Sequence, residues 1–172
     1  EIVICQELFE YFLSLAEQFD DPDQVEQLML DSVVFTGLHE WGHAAIDLYD
    51  IPITGREEDV ADQVATWLTI EAVGENAEEA LTTMLNASLL FLVQGENMAD
   101  DESAYWDSHS LDMQRFYNML CWSYGFDPDL TNKVTGEPVE EIIPEERLAS
   151  CSEEYQRMFD SLSSLMADHL RE

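Results

Sequence analysis

A mainly α domain of about six helices, with at most a short N-terminal strand, is predicted by two observations. Apolar residues recur at the three- and four-residue spacing of a helix face through most of the chain, and β-forming residues cluster only at Ile2, Val3 and Ile4. The 172 residues suffice for one domain, 1–172, with a core of its own.

Ile2, Val3 and Ile4 read as the last strand of a sheet lying mostly upstream, and Cys5 beside them as a small buried hydrophobe. Over 7–19, Leu8, Tyr11, Phe12, Leu15 and Phe19 fall on one helix face, which Asp20 and Asp21 end. Pro22 suits a first helical turn with Asp21 as its cap; Val25, Leu28, Val33, Leu38 and Ala45 carry that helix over 22–49, with a break expected near Thr36 and Gly37. Pro52 and Gly55 mark a turn, after which 57–73 reads as helix closed by Gly74. Asn76 caps another helix running to about 93 or 98, and 99–108 is acidic and irregular. A helix over 111–124 ends at Gly125, and 126–143, with Pro128, Gly136 and Pro138, reads as a long loop. Pro144 opens a last helix to about 170. Phe9, Phe12, Trp67, Phe91 and Phe116, at helical spacing, are expected in the core.

Thirty-eight acids against six bases give a net charge of -32, which disfavours nucleic acid and anionic membranes as partners because phosphate binding needs clustered Lys and Arg. At 46% hydrophobic residues the chain is too apolar to stay disordered. The acid excess reads as a solvated surface suited to a salty medium, with calcium binding at Asp100, Asp101 and Glu102 as the alternative; no spacing matches an EF-hand loop. The longest apolar run, 89–93, is far too short for a membrane span, so the chain reads as soluble, and its opening on Glu1 suggests either a processed mature form or a trimmed piece of a longer sequence. Of three cysteines, Cys121 and Cys151 are the expected disulfide, worth about 3–4 kcal/mol in an oxidising compartment.

His39-Glu40-Trp41-Gly42-His43 is the H-E-x-x-H pattern on a predicted helix. Residues four apart share a helix face, so both imidazoles can reach one zinc ion, and Glu40 can serve as general base toward a water activated there. A third ligand is needed. Glu58, in the first turn of the following helix, is the candidate if that helix returns antiparallel; Glu57 and Asp59 face other directions. Asp62, one turn on, is placed to accept a hydrogen bond from the ring of His39 or His43. Asp47 sits where the helix dipole disfavours an acid, which hints at a supporting role. Gly42 inside the helix implies that a neighbouring element passes close behind it.

These residues resemble known families. His39 to His43 followed by Glu58-Asp59-Val60-Ala61-Asp62 is similar to the gluzincin pattern of H-E-x-x-H and then E-x-x-A-D, as in CAAX-type zinc proteases. More narrowly, HEWGHAAIDLYDIPITGREEDVADQVATW, WDSHSLDMQRFYNMLCWSYG and EERLASC resemble the bacterial metallopeptidase family known as domain of unknown function 4344. The resemblance spans most of the chain and implies a zincin-like fold, zinc, hydrolysis of a peptide or protein substrate, and export to the periplasm or beyond.

Trp106, Asp107, His109, Arg115, Tyr117 and Trp122 gather polar and aromatic groups at a loop-to-helix junction. Acyl chemistry at a metal needs a donor for the developing oxyanion, for which His109 is the first candidate and Arg115 the second, ahead of Tyr105 and Tyr117. The rival to a peptidase is an exported interaction domain whose zinc is structural or vestigial, recognisable by a closed four-ligand site.

Overall fold

The computed structural model describes residues 2–73, 76–97 and 105–169. Seven α-helices lie within them: α1 (Gln6–Ala16), α2 (Pro22–Tyr49), α3 (Glu57–Ala72), α4 (Ala77–Asn97), α5 (Asp112–Phe126), α6 (Pro128–Thr135) and α7 (Glu145–Met166), with a 3-10 turn at Val139–Glu141 before the last. The fold is mainly α, and no strand occurs among the described residues. Ile2 and Val3 are instead exposed beside no pairing partner, as is Cys5; β-propensity without a ladder to join leaves such a segment unpaired.

The long helix α2 is the organising element, packing against α1, α3 and α4. Its start follows from chemistry at the cap, where the Asp21 carboxylate accepts from the Asp23 N–H at 3.0 Å and Pro22 occupies the first turn. It continues unbroken through Thr36 and Gly37 because Phe35 and Leu38 on either side are held in the core. Asn76 caps α4 in the same way, accepting from the N–H groups of Glu78 and Glu79. Helix α1 stops at Ala16, three residues short of the apolar pattern, and tight turns from Gln18 to Leu15 and from Phe19 to Ala16 complete it.

Helices α4, α5 and α7 close the other side of the core, in which Phe35, Trp67, Met84, Met119, Trp122 and Tyr155 interlock. Trp67 and Phe116 are buried as expected, whereas Phe9 is 38% exposed on the outer face of α1. Buried Asp31 ties α2 to α4 by accepting from Thr83 Oγ1 and Asn86 Nδ2, and from Gln27 within α2. A disulfide joins Cys121 of α5 to Cys151 of α7.

Two punctuation residues act otherwise than the sequence suggests. The expected loop 126–143 contains α6, because Asp127 caps it through the Leu130 N–H at 2.9 Å, Pro128 begins it, and Gly136 at φ 76° ends it. Gly125 ends nothing: α5 runs through it, and a β-carbon there would lie 2.3 Å from the Cys151 carbonyl oxygen. Its role is to let α5 and α7 touch. Gly74 and the acids at 100–102 lie outside the described residues.

Candidate metal centre

The site is built where α2 and α3 run side by side. Asp50, in the left-handed region at φ 51°, ends α2, and residues 51–55 return the chain to Arg56, the N-cap of α3. Gly42 makes the approach close: a β-carbon there would meet the Ala61 Cα and Val64 Cβ at 3.2 Å. Three acids, Glu57, Glu58 and Asp59, fill the first turn of α3, where the helix dipole favours them.

Glu58 stands among three imidazoles. Its Oε2 is 3.2 Å from His39 Nε2, 3.2 Å from His43 Nε2 and 2.9 Å from His109 Nε2, while the Nε2 atoms of His39 and His43 are 3.1 Å apart. The atoms of His39, Glu58 and His109 that could bind a metal all lie within 4.8 Å of one another, and the His109 ring stacks on that of His39. Donor atoms around a tetrahedral ion with bonds of about 2.0–2.1 Å are spaced by roughly 3.3 Å, so the donor set fits a metal.

Each imidazole is held from behind by a carboxylate. His39 Nδ1 bonds Asp62 Oδ1 at 2.8 Å, His43 Nδ1 bonds Glu57 Oε1 at 2.8 Å, and His109 Nδ1 bonds Asp107 Oδ1 at 2.9 Å. A ring that donates its Nδ1–H to a carboxylate turns the lone pair of Nε2 toward a ligand. Burial lowers the basicity of His43, but the bond to Glu57 and the charge of Glu58 outweigh it and leave its pKa above the ordinary value. Asp62 is itself buried. Hydrogen bonds from His39 and Arg115 overcome that burial and hold its carboxyl below the usual range.

Arg115 is committed to Asp62. Its Nε and Nη2 each sit 2.8 Å from an Asp62 oxygen, and its guanidinium lies 3.8 Å from the centre of the Phe91 ring. This replaces the expected oxyanion role with one of holding Asp62. Asp47 is exposed and its side chain has no hydrogen bond or ion pair to another described residue, so the structure gives it no part in the cluster. Glu57, set aside as facing elsewhere, and Asp107, unassigned in the sequence, both position rings. Asp107 sits two residues before His109, a spacing from which a local side-chain bond was foreseeable.

The loop 105–111 that carries His109 is fastened to α3 by Ser110 Oγ, which donates to Asp59 Oδ1 at 2.6 Å, and by Arg56 Nη1 on the His109 carbonyl at 3.4 Å. Above the cluster opens a cavity of about 840 Å³ whose wall includes Glu40, His43, Arg56, Glu58, Trp106 and His109. Glu40 is exposed on that wall.

A family model described as "Putative metallopeptidase" matches residues 1–166. No curated protein and no solved structure matches the chain.

Proposed function

The chain belongs to this metallopeptidase family, domain of unknown function 4344, and from that premise we propose that it is a zinc-dependent peptidase in which His39, His43 and Glu58 hold the metal and Glu40 is the general base. The observation that carries the reading is the convergence of the His39 and His43 Nε2 atoms on Glu58 Oε2, each at 3.2 Å. Two nitrogens and one carboxylate oxygen are a donor set that suits zinc with a position left open.

Zinc, when bound, supplies polarisation of the scissile carbonyl and a lowered pKa for the attacking water. Glu40, exposed on the cavity wall and adjacent in sequence to His39, takes the proton of that water and passes it to the leaving amine. His109, on the loop across from α2, donates from Nε2 to the oxyanion when its ring carries both protons, the Nδ1–H staying on Asp107. The Cys121–Cys151 disulfide supports an oxidising compartment, periplasmic or extracellular. No helix is long and apolar enough to cross a membrane.

A second reading rests on one distance. His109 Nε2 lies 2.9 Å from Glu58 Oε2, and as a fourth ligand it would close the site, leaving an exported interaction domain with structural zinc.

Glu40→Gln and His109→Ala decide between them. For a peptidase, Glu40→Gln retains zinc and loses about 10²-fold or more in rate, and His109→Ala retains zinc while losing about 10²–10³-fold. For the structural reading, His109→Ala loses both zinc and thermal stability. A Glu40→Gln protein that hydrolyses peptide as fast as the parent refutes the assignment of the base.

A further inference from the structure

Among the described residues five are Lys or Arg, and four of them are ion-paired: Arg115 with Asp62, Lys133 with Glu78, Arg147 with Glu154 and Arg157 with Glu153. Arg56 is the exception. In a chain with 38 acids, and with Glu57, Glu58 and Asp59 following it directly, it has no carboxylate partner among the described residues. The neighbouring acids are committed elsewhere, Glu57 to His43, Glu58 to the imidazole cluster and Asp59 to Ser110. The one side-chain hydrogen bond Arg56 makes among the described residues is long, 3.4 Å from Nη1 to the His109 carbonyl, and leaves most of its five N–H donors to other acceptors.

Its position says which acceptors. Arg56 lines the cavity over the imidazoles and also a second cavity of about 600 Å³, formed by the 51–55 turn, α3 and α7. The lining of that second space is mostly apolar, with Ile51, Ile53, Trp122, Met158, Leu162 and Leu165, and also includes Glu154 and Arg157. A chain that reaches from the metal cluster into the apolar space passes the guanidinium. The acceptor it offers there is more favourably neutral than charged, because Glu40, Glu57, Glu58 and Asp107 on the same wall and the net charge of -32 repel anions.

We propose that Arg56 is the substrate-positioning residue of this site: it holds a backbone carbonyl of a peptide whose reacting bond lies over His39, His43 and Glu58 while a bulky apolar side chain of the same peptide fills the second cavity. The inference rests on the peptidase reading and names its substrate class, extended peptides carrying a large apolar residue near the scissile bond. Acidic peptides are the class it excludes.

The test uses the zinc-loaded full chain and blocked peptides that differ at one position, Phe against Ser or Asp, with that position moved stepwise from the scissile bond. At one register the Phe peptide is cut at least about tenfold more efficiently, the discrimination an apolar pocket achieves. Arg56→Met raises KM about tenfold, the loss of one hydrogen bond from a charged donor, and changes kcat by less than KM, with zinc affinity unchanged; Arg56→Lys recovers part of the KM. Leu165→Asp abolishes the preference for Phe over Ser. Equal cleavage of Phe and Ser peptides at every register, or an Arg56→Met protein with the parent's KM, overturns the proposal.

If no peptide is cut, the peptidase reading falls by itself. Fluorescence anisotropy of labelled Phe and Ser peptides with the zinc-loaded Glu40→Gln protein then decides this one. Tighter binding of Phe that Arg56→Met weakens sustains it, and equal or absent binding ends it.

Discussion

Arg115 closes a fork on Asp62, Nε to Oδ2 and Nη2 to Oδ1, both at 2.8 Å, and the same carboxylate accepts from His39 Nδ1. The three residues come from α5, α3 and α2, so one buried carboxylate connects the helix bearing the first imidazole to the far side of the core. Arg115 keeps the carboxylate charged and in place, and the carboxylate keeps the His39 ring turned.

Asp62→Asn is expected to weaken metal affinity by about 10–100-fold, read by competition with a chromophoric chelator, because His39 loses the partner that fixes its ring. Arg115→Met strands the Asp62 charge in the interior and costs about 3–5 kcal/mol in a denaturant melt. The double variant recovers much of that loss. A single Arg115→Met protein as stable as the parent shows that the pair is not a buried one.

Gly125→Ala tests the contact of α5 with α7. The added carbon would meet the Cys151 carbonyl oxygen at 2.3 Å and Tyr155 Cβ at 2.8 Å, and the nearer of these is backbone that cannot swing aside. A loss of about 1–3 kcal/mol or more is expected by denaturant melt. Gly55→Ala, with nothing within 4 Å of the added carbon, serves as the control and is expected within about 0.5 kcal/mol of the parent.

Tyr155 gives a pH dependence. Burial, and then the charge of Glu71, push its hydroxyl up to about 12. A group whose pKa is raised by folding contributes stability in full below its unfolded value of about 10 and loses it as pH climbs through the folded value. Parent and Tyr155→Phe proteins are therefore expected to converge or cross in stability between about pH 10 and 12, with the parent falling faster. Parallel melting curves across that window refute the assignment.

The net charge of -32 predicts a melting temperature that rises with sodium chloride, most steeply up to about 0.15 M, where the screening length falls to about 8 Å. Calcium chloride at matched ionic strength is expected to act to the same extent. A calcium-specific rise in scanning calorimetry would instead assign ion binding to the acids.

What the sequence determined was local. The four-residue spacing of His39 and His43 put both rings on one face of α2, Asp21 and Asn76 capped their helices, and acids collected where the dipole of α3 welcomes them. These are rules acting within a turn or two of backbone, so one chain suffices to read them. The same residue types misled where the rule was ambiguous: Pro128 and Gly136 bracket a helix as well as a loop, and Gly125 serves packing rather than termination.

The tertiary structure decided everything that joins distant segments. His109 lies 70 positions after His39 in the chain, yet its ring stacks on that of His39, and Arg115 reaches Asp62 across 53 positions. Glu57 and Glu58 are chemically alike neighbours; the packing of α3 on α2, where Gly42 lies against Ala61, puts one behind His43 and the other among the rings. Such pairings depend on how helices pack and how loop 105–111 is fastened, and no periodicity along the chain encodes the distance between two faces that meet only when the core closes.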